Sequence, residues 1–467
     1  MTASESFFGH PRGLAYLSFT EAWERFSFYG MQSLLVLYMT QALFLPGQMD
    51  QVAGMASYRA AIEAVLGPLS TQALAGQTFG LYAGLVYFTP LIGGWVADRW
   101  LGAKKTVVTG VLLMTAGHAA MVFDQSFLLA LLLLILGSGA LKGNIAAQVG
   151  QLYERSDGRR TRAFAIFNIA INIGSIFGPL VCGLLAQLYG WHYGFGAAGL
   201  LMLLALAVYL KGFGHMPDEA PVKRDRSMEP ALTKQEWGSV GAIIMLLLMV
   251  VFLGLGFDQI YNMGMVWVDK TVDLDSALGR FPVAWFVSVG SFATIVAIAG
   301  TIALWRWQAA RGREPDECTK IATGGMMTGL AVAILAAASA LADGGRVSIG
   351  FPVAAFALIG IGFGWYWPAW LAMVSRYAPH KLAARFMAAA YLVGFIGSVM
   401  SGYFATFYET MSPALFWSLH AVICFLGSAA FYVFGPMLTQ VLVATSDQSA
   451  KFTPAAAAVH GPKVIVS

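Results

Sequence analysis

The sequence is dominated by long apolar segments, and these constrain its fold more than any other feature. A segment of about 20 apolar residues spans a lipid bilayer as an α-helix, because the hydrocarbon core is about 30 Å thick. Of the 467 residues, 58% are hydrophobic and only 11% are charged, whereas about 25% of the residues in soluble domains are charged. The chain is therefore predicted to be an all-α membrane protein with many spans.

Twelve transmembrane helices are predicted from these segments and the polar loops between them. Their approximate limits are 14–42, 71–97, 103–122, 126–149, 161–184, 190–211, 236–268, 280–310, 317–342, 346–375, 380–408 and 412–440. A polar segment with three prolines, at 214–236, separates six spans from six. We therefore expect an N-terminal six-helix bundle at 1–211, a cytoplasmic linker at 212–235, a C-terminal six-helix bundle at 236–440 and a disordered cytoplasmic tail at 441–467. Two such halves are typical of transporters with a site at their interface.

Lysines and arginines are concentrated in the loops that follow the even-numbered spans. The positive-inside rule therefore places these loops and both termini in the cytoplasm. We expect a multi-pass protein of the cell (inner) membrane that functions as a monomer among membrane lipids. The net charge of +4 is small and comes from loop residues, so no nucleic-acid partner is expected. The three cysteines lie far apart, and they indicate neither a disulfide framework nor a metal site.

The first apolar segment contains three ionisable residues, in the stretch LSFTEAWERFSFYGMQ at 17–32. Successive residues of a helix are rotated by about 100°. One face of this helix therefore carries Glu21, Glu24, Arg25, Tyr29 and Gln32. Because an unsupported charge in the bilayer costs about 2.5–3.5 kcal/mol, this face is expected to meet a wet cavity or partner charges. The structural alternative is a static ion pair between Glu21 and Arg25 at i, i+4.

Two further ionisable residues lie within apolar spans. Lys142 lies in LGSGALKGNIAAQ, and Asp258 lies in LGLGFDQIYNMG. The alternatives are a Lys142 side chain that extends to the membrane interface and an Asp258 that is solvated near the outer mouth. Carboxylates beside cations can couple to protons, because a carboxylate that loses its cation binds a proton more readily.

Four motifs resemble those of a known transporter family. The stretch EAWERFSFYG resembles the first-span signature E-x-x-E-R-F-x-Y-Y-G of the proton-dependent oligopeptide transporters, a family of the major facilitator superfamily. GGWVADRWLGAKKT, at 93–106, is similar to the loop signature of the superfamily between spans two and three. FNIAINIGS, at 167–175, resembles the fifth-span motif of the family, and VSRYAPHKL, at 374–382, resembles the segment after span ten. The resemblance covers both halves and implies the superfamily fold.

The resemblance also implies roles for individual residues. Proton coupling is implied for Glu21, Glu24, Arg25, Lys142 and Asp258. Arg25 and Lys142 would bind the substrate carboxylate, and Lys142 is expected to pair with Glu24. The candidate substrate-binding residues are Arg25, Tyr29, Gln32, Tyr87, Lys142, Asn172, Asp258, Phe363 and Trp367. Tyr29, Tyr87, Trp365 and Trp367 would form aromatic walls, although core packing or interfacial anchoring is the alternative for the two tryptophans.

Several positions depart from the family pattern. Phe28 and Asn168 replace tyrosines, and Gly290 replaces an asparagine. Gln32 stands where many members have an arginine that pairs with the seventh-span acid. Phe363 stands where the family usually has a glutamate for the amino group of the peptide. These differences concern the identity of the substrate more than the mechanism, and they leave Asp258 as the candidate to bind an amino group.

The leading functional interpretation is a proton-coupled symporter that imports di- and tripeptides by alternating access, with protons but no other cofactor. One alternative is a transporter of another small anionic or drug-like solute. A membrane-embedded enzyme is a second, and a receptor that binds peptides without moving them is a third. The spans contain no metal-ligand cluster and no nucleophile constellation, so an enzyme is not expected.

Overall fold

The computed structural model describes residues 6–154, 157–217, 233–277, 279–378 and 383–451. These residues form helices that we number α1 to α14 in chain order. Their bounds are Arg12–Tyr38, Met55–Leu66, Thr71–Val96, Gly102–Ala120, Phe127–Gln151, Arg159–Tyr189, Trp191–Gly212, Lys234–Tyr261, Met263–Thr271, Trp285–Ala309, Glu317–Ala342, Gly350–Tyr377, Ala383–Ala405 and Pro413–Lys451.

Short elements lie at the helix ends and in the loops. Two antiparallel hairpins pair β1 (Ser6–Phe7) with β2 (His10–Pro11) and β3 (Asp275–Ser276) with β4 (Gly279–Arg280). One turn of π-helix follows α1 at Met39–Leu43 and another follows α3 at Ala97–Leu101. Turns of 3₁₀-helix occupy Met49–Gln51, Asp124–Ser126 and Phe213–His215.

Twelve of the helices are the predicted membrane spans, namely α1, α3 to α8 and α10 to α14. Ten stretches of the described residues are long and apolar enough to cross a membrane, and one of these, Thr71–Ala120, contains both α3 and α4. Helix α1 is not among the ten, since charged and other polar side chains interrupt its apolar character. The all-α class and the twelve-helix architecture are therefore confirmed.

The helices pack in two groups. Helix α1 packs on α6 and α7, and α5 packs on α3 and α4. In the second group α11 packs on α12 and α14, α8 packs on α14, and α10 packs on α12. The groups meet mainly where α3 packs on α13 and where α6 packs on α10. At the first of these contacts Gly80 is required, because a Cβ atom there would lie 2.6 Å from the Cα atom of Gly402.

The seventh span differs from its prediction. The sequence predicts one helix at 236–268, but α8 ends at Tyr261 and α9 begins at Met263. Between them Asn262 has φ −99° and ψ −99°, which are not helical values. Its side-chain amide donates hydrogen bonds to the carbonyl of Gly76 (3.0 Å) and to Ser401 Oγ (3.1 Å). The break therefore positions a polar side chain between the two groups of helices.

The predicted disordered tail also needs correction. Helix α14 continues through residues 441–451, past the predicted end of the span at 440. Residues 452–467 of the tail lie outside the described residues, as do residues 218–232 of the predicted linker. Helix α8 begins with a capping box, in which Thr233 and Glu236 each bond to the backbone N–H of the other.

Candidate functional site

A cavity of about 320 Å³ lies between the two groups of helices. Helices α1, α3 and α6 form one side of it, and α8, α10, α12 and α13 form the other. Volumes of about 300–1,000 Å³ are usual for small-molecule sites. The lining side chains are Tyr29, Gln32, Phe79, Ala83, Tyr87, Asn168, Ile171, Asn172, Ser175, Phe257, Asp258, Tyr261, Val287, Ser291, Thr294, Ile298, Phe363, Trp367, Ser398 and Ser401.

Most of the predicted binding residues lie on this cavity. The structure places Tyr29, Gln32, Tyr87, Asn172, Asp258, Phe363 and Trp367 in its wall. Arg25 and Lys142 do not line it, although Lys142 Nζ lies 5.5 Å from the ring centroid of Tyr87. Trp365 is not in this wall, and its ring packs at 5.8 Å on Trp305, which agrees with the alternative of core packing.

The charged residues of the first span form a buried cluster. Arg25 Nε lies 3.1 Å from Glu21 Oε1 and also contacts Glu24 Oε2. The exposed fractions are 4% for Glu21, 0% for Glu24 and 7% for Arg25, so the cluster is almost completely removed from solvent. The Glu21–Arg25 pair is therefore present, but a second carboxylate shares the same guanidinium. One cation is balanced against two acids in a nearly dry environment.

Lys142 does not form the predicted pair with Glu24. Among the residues that the structure describes, no acid forms an ion pair with Lys142, whereas Glu24 is directed at Arg25. The Lys142 ammonium instead lies 4.1 Å from the ring centroid of Phe28. Aromatic ring faces attract cations, and the attraction strengthens when water is excluded. The alternative in which Lys142 extends to the membrane interface is also not observed.

Asp258 lies in the central cavity and not at an outer mouth. Its Oδ1 atom accepts a hydrogen bond from Ser398 Oγ at 2.8 Å. Its Oδ2 atom lies against Gly397, where a side chain would collide with it. Neither a lysine nor an arginine forms an ion pair with Asp258 in the described part of the chain. Gln32, which stands where many members of the related family have an arginine, also lines the cavity.

Three aromatic rings form a stack in the cavity wall beside Asp258. The centroids of Phe257 and Phe363 are 4.6 Å apart at an interplanar angle of 21°. Those of Phe363 and Trp367 are 5.4 Å apart at 16°. The position where the related family has an acid is thus part of a continuous apolar surface. Next to it, the hydroxyl of Tyr261 occupies the space that a side chain at Gly290 would need.

Polar contacts connect the two groups of helices at the end of the molecule where α9 lies, which we call the α9 end. Asp269 of the second half accepts a hydrogen bond from Gln41 Nε2 of the first half (2.7 Å), and within its own half it accepts one from Arg280 Nη2 (2.9 Å). The adjacent Lys270 donates to Gln72 Oε1. The motifs did not indicate these residues, nor did they indicate Ser398 and Asn262 in the spans. Uncharged polar residues within apolar segments are the only signal that could have identified the latter two.

The comparisons with known proteins agree on one family. A family model described as the Major Facilitator Superfamily matches residues 26–402. The chain is 36% identical over 289 residues to the di-/tripeptide transporter of Lactococcus lactis subsp. cremoris, which covers 61% of this chain and 53% of that protein. It is 35% identical over 292 residues to the uncharacterized transporter YclF of Bacillus subtilis, which covers 61% of this chain and 52% of that protein. The alignments thus span about half the length of these relatives.

Solved structures extend the similarity to nearly the whole chain. A mutant of the peptide transporter POT in complex with alafosfalin has a TM-score of 0.82 and 26% identity, and covers 93% of this chain and 96% of that one. The same transporter in complex with sulfate has a TM-score of 0.81 and 26% identity, with the same coverage. These similarities confirm the resemblance that the four motifs indicate. The relatives are transporters, which supports the expectation that the chain is not an enzyme.

Proposed function

This chain belongs to the major facilitator superfamily, and on that premise we propose that it is a proton-coupled symporter that imports di- and tripeptides by alternating access. The observation that carries the proposal is the buried cluster of Glu21, Glu24 and Arg25 next to a cavity between the two groups of helices. Ionisable groups in a membrane interior are costly, and they mark transport pathways and proton relays. The similarity to di-/tripeptide and peptide transporters supports the substrate class.

We propose that the substrate carboxylate approaches Arg25 and Lys142. Both cations lie just behind the cavity wall, Arg25 one helical turn before Tyr29 and Lys142 beside Tyr87. A carboxylate that enters from the cavity competes with Glu21 and Glu24 for Arg25. A glutamate that loses part of this cation then binds a proton more readily. Substrate and proton thereby bind together, which is the coupling that a symporter needs.

The other end of the substrate would lie against Asp258 and the polar side chain of Asn172. Asp258 is the only acid among the residues that line the described cavity, and the aromatic stack of Phe257, Phe363 and Trp367 lies beside it. A carboxylate next to ring faces favours an ammonium group. Asp258 is also the candidate to carry a second proton. We further propose inner-membrane insertion with cytoplasmic termini, a monomeric functional unit and no cofactor other than protons.

A second candidate function follows from Phe363. Its ring continues an apolar surface where the related family has an acid, so the site suits solutes with a large apolar part. The candidate is a transporter of another small anionic or drug-like solute. Competition by a dipeptide library, by N-acetylated dipeptides and by apolar carboxylates in proteoliposomes separates the two. Proton-driven uptake of an apolar carboxylate that no dipeptide inhibits would favour the second function. If none of these solutes is taken up under a proton gradient, both functions are contradicted.

Replacing Gln32 with arginine is expected to weaken the affinity for dipeptides with a free amino group. Both positions 32 and 258 line the cavity, and a cation at position 32 would occupy the Asp258 carboxylate. The affinity for N-acetylated dipeptides should change less, because these substrates carry no ammonium group. The measurement is the KM for each peptide pair in proteoliposomes. Gln32→Met is the uncharged control, and equal losses for both peptide types in Gln32→Arg would exclude Asp258 from amine binding.

Replacing Asp269 with alanine is expected to weaken closure at the α9 end. The substitution removes the acceptor of both Gln41 and Arg280. Only the bond from Gln41 joins the two groups of helices. A partly exposed polar pair contributes about 0.2–1 kcal/mol, so the equilibrium between closed and open states should shift by at most about fivefold. With one spin label on each group of helices at the α9 end, the shift should appear as a larger population at long label-to-label distances. Asp273→Ala, just after the end of α9, is the control. An unchanged distance distribution in Asp269→Ala would contradict the prediction.

A further inference from the structure

The ring of Phe28 lies against two cations, Arg25 of the buried cluster and Lys142. Its centroid lies 4.1 Å from Lys142 Nζ and 5.4 Å from Arg25 Cζ. We propose that Phe28 is a positioning residue, whose ring keeps Lys142 apart from the glutamates and available for the carboxylate of the substrate. The inference rests on the proposed function and assigns a role to a residue at which this chain departs from the family motif.

The two cations differ in what surrounds them. Arg25 contacts the carboxylates of both Glu21 and Glu24. When all three are ionised, this group carries one excess negative charge, which attracts Lys142. Nevertheless, Lys142 forms no ion pair within the described ranges of the chain, and its ammonium lies against Phe28 instead. The Arg25 guanidinium, which lies on the same ring, repels the ammonium, and the ring face of Phe28 is an attractive partner that is not an acid.

The position of the ammonium suits a ligand that arrives from the cavity. Lys142 Nζ also lies 5.5 Å from the ring centroid of Tyr87, and Tyr87 lines the cavity. A phenylalanine ring neither donates nor accepts a conventional hydrogen bond. An incoming carboxylate therefore does not have to displace a hydrogen-bonded acid before it meets the ammonium. By contrast, a direct pair between Lys142 and Glu24 would make the substrate compete with a buried carboxylate.

A purely structural role for Phe28 is the alternative, and the same helix offers a matched control. Phe26 is buried to a similar degree, with 4% of its surface exposed against 3% for Phe28. Its ring packs edge-to-face on Trp23 at 6.3 Å. Phe26→Leu and Phe28→Leu therefore remove comparable buried rings from α1. Only the second substitution removes a ring that lies against the cations.

The test measures the preference of the full-length protein in lipid nanodiscs for a dipeptide over the corresponding C-terminal amide. The Kd of the amide divided by the Kd of the dipeptide measures how strongly the protein prefers a free carboxylate. We expect Phe28→Leu to reduce this ratio by about tenfold, which corresponds to about 1.4 kcal/mol. Phe28→Tyr, which keeps the ring, and the control Phe26→Leu should both retain it. If Phe28→Leu does not fold, Phe28→Met provides the same test with a flexible apolar side chain.

A double-mutant cycle shows whether Phe28 acts through Lys142. In a Lys142→Met background, Phe28→Leu should not change the preference for acid over amide any further. An unchanged preference in Phe28→Leu, or an equal loss in both backgrounds, would overturn the role of Phe28. Equal binding of acid and amide by the unaltered protein would also overturn it. If the unaltered protein binds no dipeptide at all, the proposed function itself fails, so the two failures are distinguishable.

Discussion

Replacing Arg25 with alanine is expected to abolish proton-driven uptake. The substitution removes the shared partner of Glu21 and Glu24, both of which are almost completely buried. The site then lacks a cation that a substrate carboxylate could compete for. Removing one partner from a buried ion pair also costs about 3–5 kcal/mol, because the remaining charge is left uncompensated. Uptake of a labelled dipeptide into proteoliposomes with an imposed proton gradient measures the functional effect.

The thermal stability of the purified variant must be measured in parallel, so that unfolding is not mistaken for loss of transport. Arg59→Ala is the matched control, because Arg59 and Glu63 form a pair at the same i, i+4 spacing with both side chains partly exposed. Such an exposed pair contributes about 0.2–1 kcal/mol, and uptake should be retained. Lys142→Ala is expected to abolish uptake as well. If both Arg25→Ala and Lys142→Ala transport normally under a proton gradient, the assignment of the carboxylate site is wrong.

Replacing Glu24 with glutamine is expected to abolish concentrative uptake while exchange of labelled for unlabelled substrate survives. Glutamine keeps much of the shape of glutamate but has no carboxyl group that could bind and release a proton. Exchange requires no net proton movement, so a rigid-body transition with substrate bound remains possible. Counterflow and gradient-driven uptake, measured on the same proteoliposomes, separate these two activities.

A matched substitution helps to interpret that result. Glu63→Gln changes a carboxylate in α2, the short helix between the first two spans, which does not line the cavity. This substitution should leave both activities intact. Glu21→Gln tests whether the second acid of the cluster has the same role. Full concentrative uptake by the Glu24→Gln variant would remove Glu24 from proton coupling.

The membrane spans could be predicted from the sequence because their signal is local. A run of apolar residues must cross the bilayer as a helix whatever its neighbours are. The break at Asn262 could not be predicted in the same way. It depends on acceptors at Gly76 and Ser401, which are remote in the chain. The extension of α14 was missed because the composition after residue 440 no longer resembles a span, although a helix can continue beyond the membrane.

The candidate site was predictable to the extent that its residues belong to motifs. Seven of the nine predicted binding residues line the cavity. The pairing of Lys142 was predicted incorrectly, since the choice between Glu24 and the Phe28 ring is made by tertiary packing and not by the motif. The contacts at the α9 end join glutamines to charged residues more than 190 positions away, at separations of 198 and 228. No pattern along the sequence indicates such pairs.

The short break at Asn262 has a consequence for how the α9 end can open. The Asn262 side chain is completely buried, and one of its two hydrogen bonds ends on Gly76 in the other group of helices. Any separation of α3 from α8 removes this acceptor, and a buried donor without a partner costs about 1–3 kcal/mol. Water must replace this acceptor, so the opening of the α9 end and the hydration of Asn262 occur together. The opening step should therefore slow when osmolytes lower the activity of water, with a dependence that Asn262→Ala weakens.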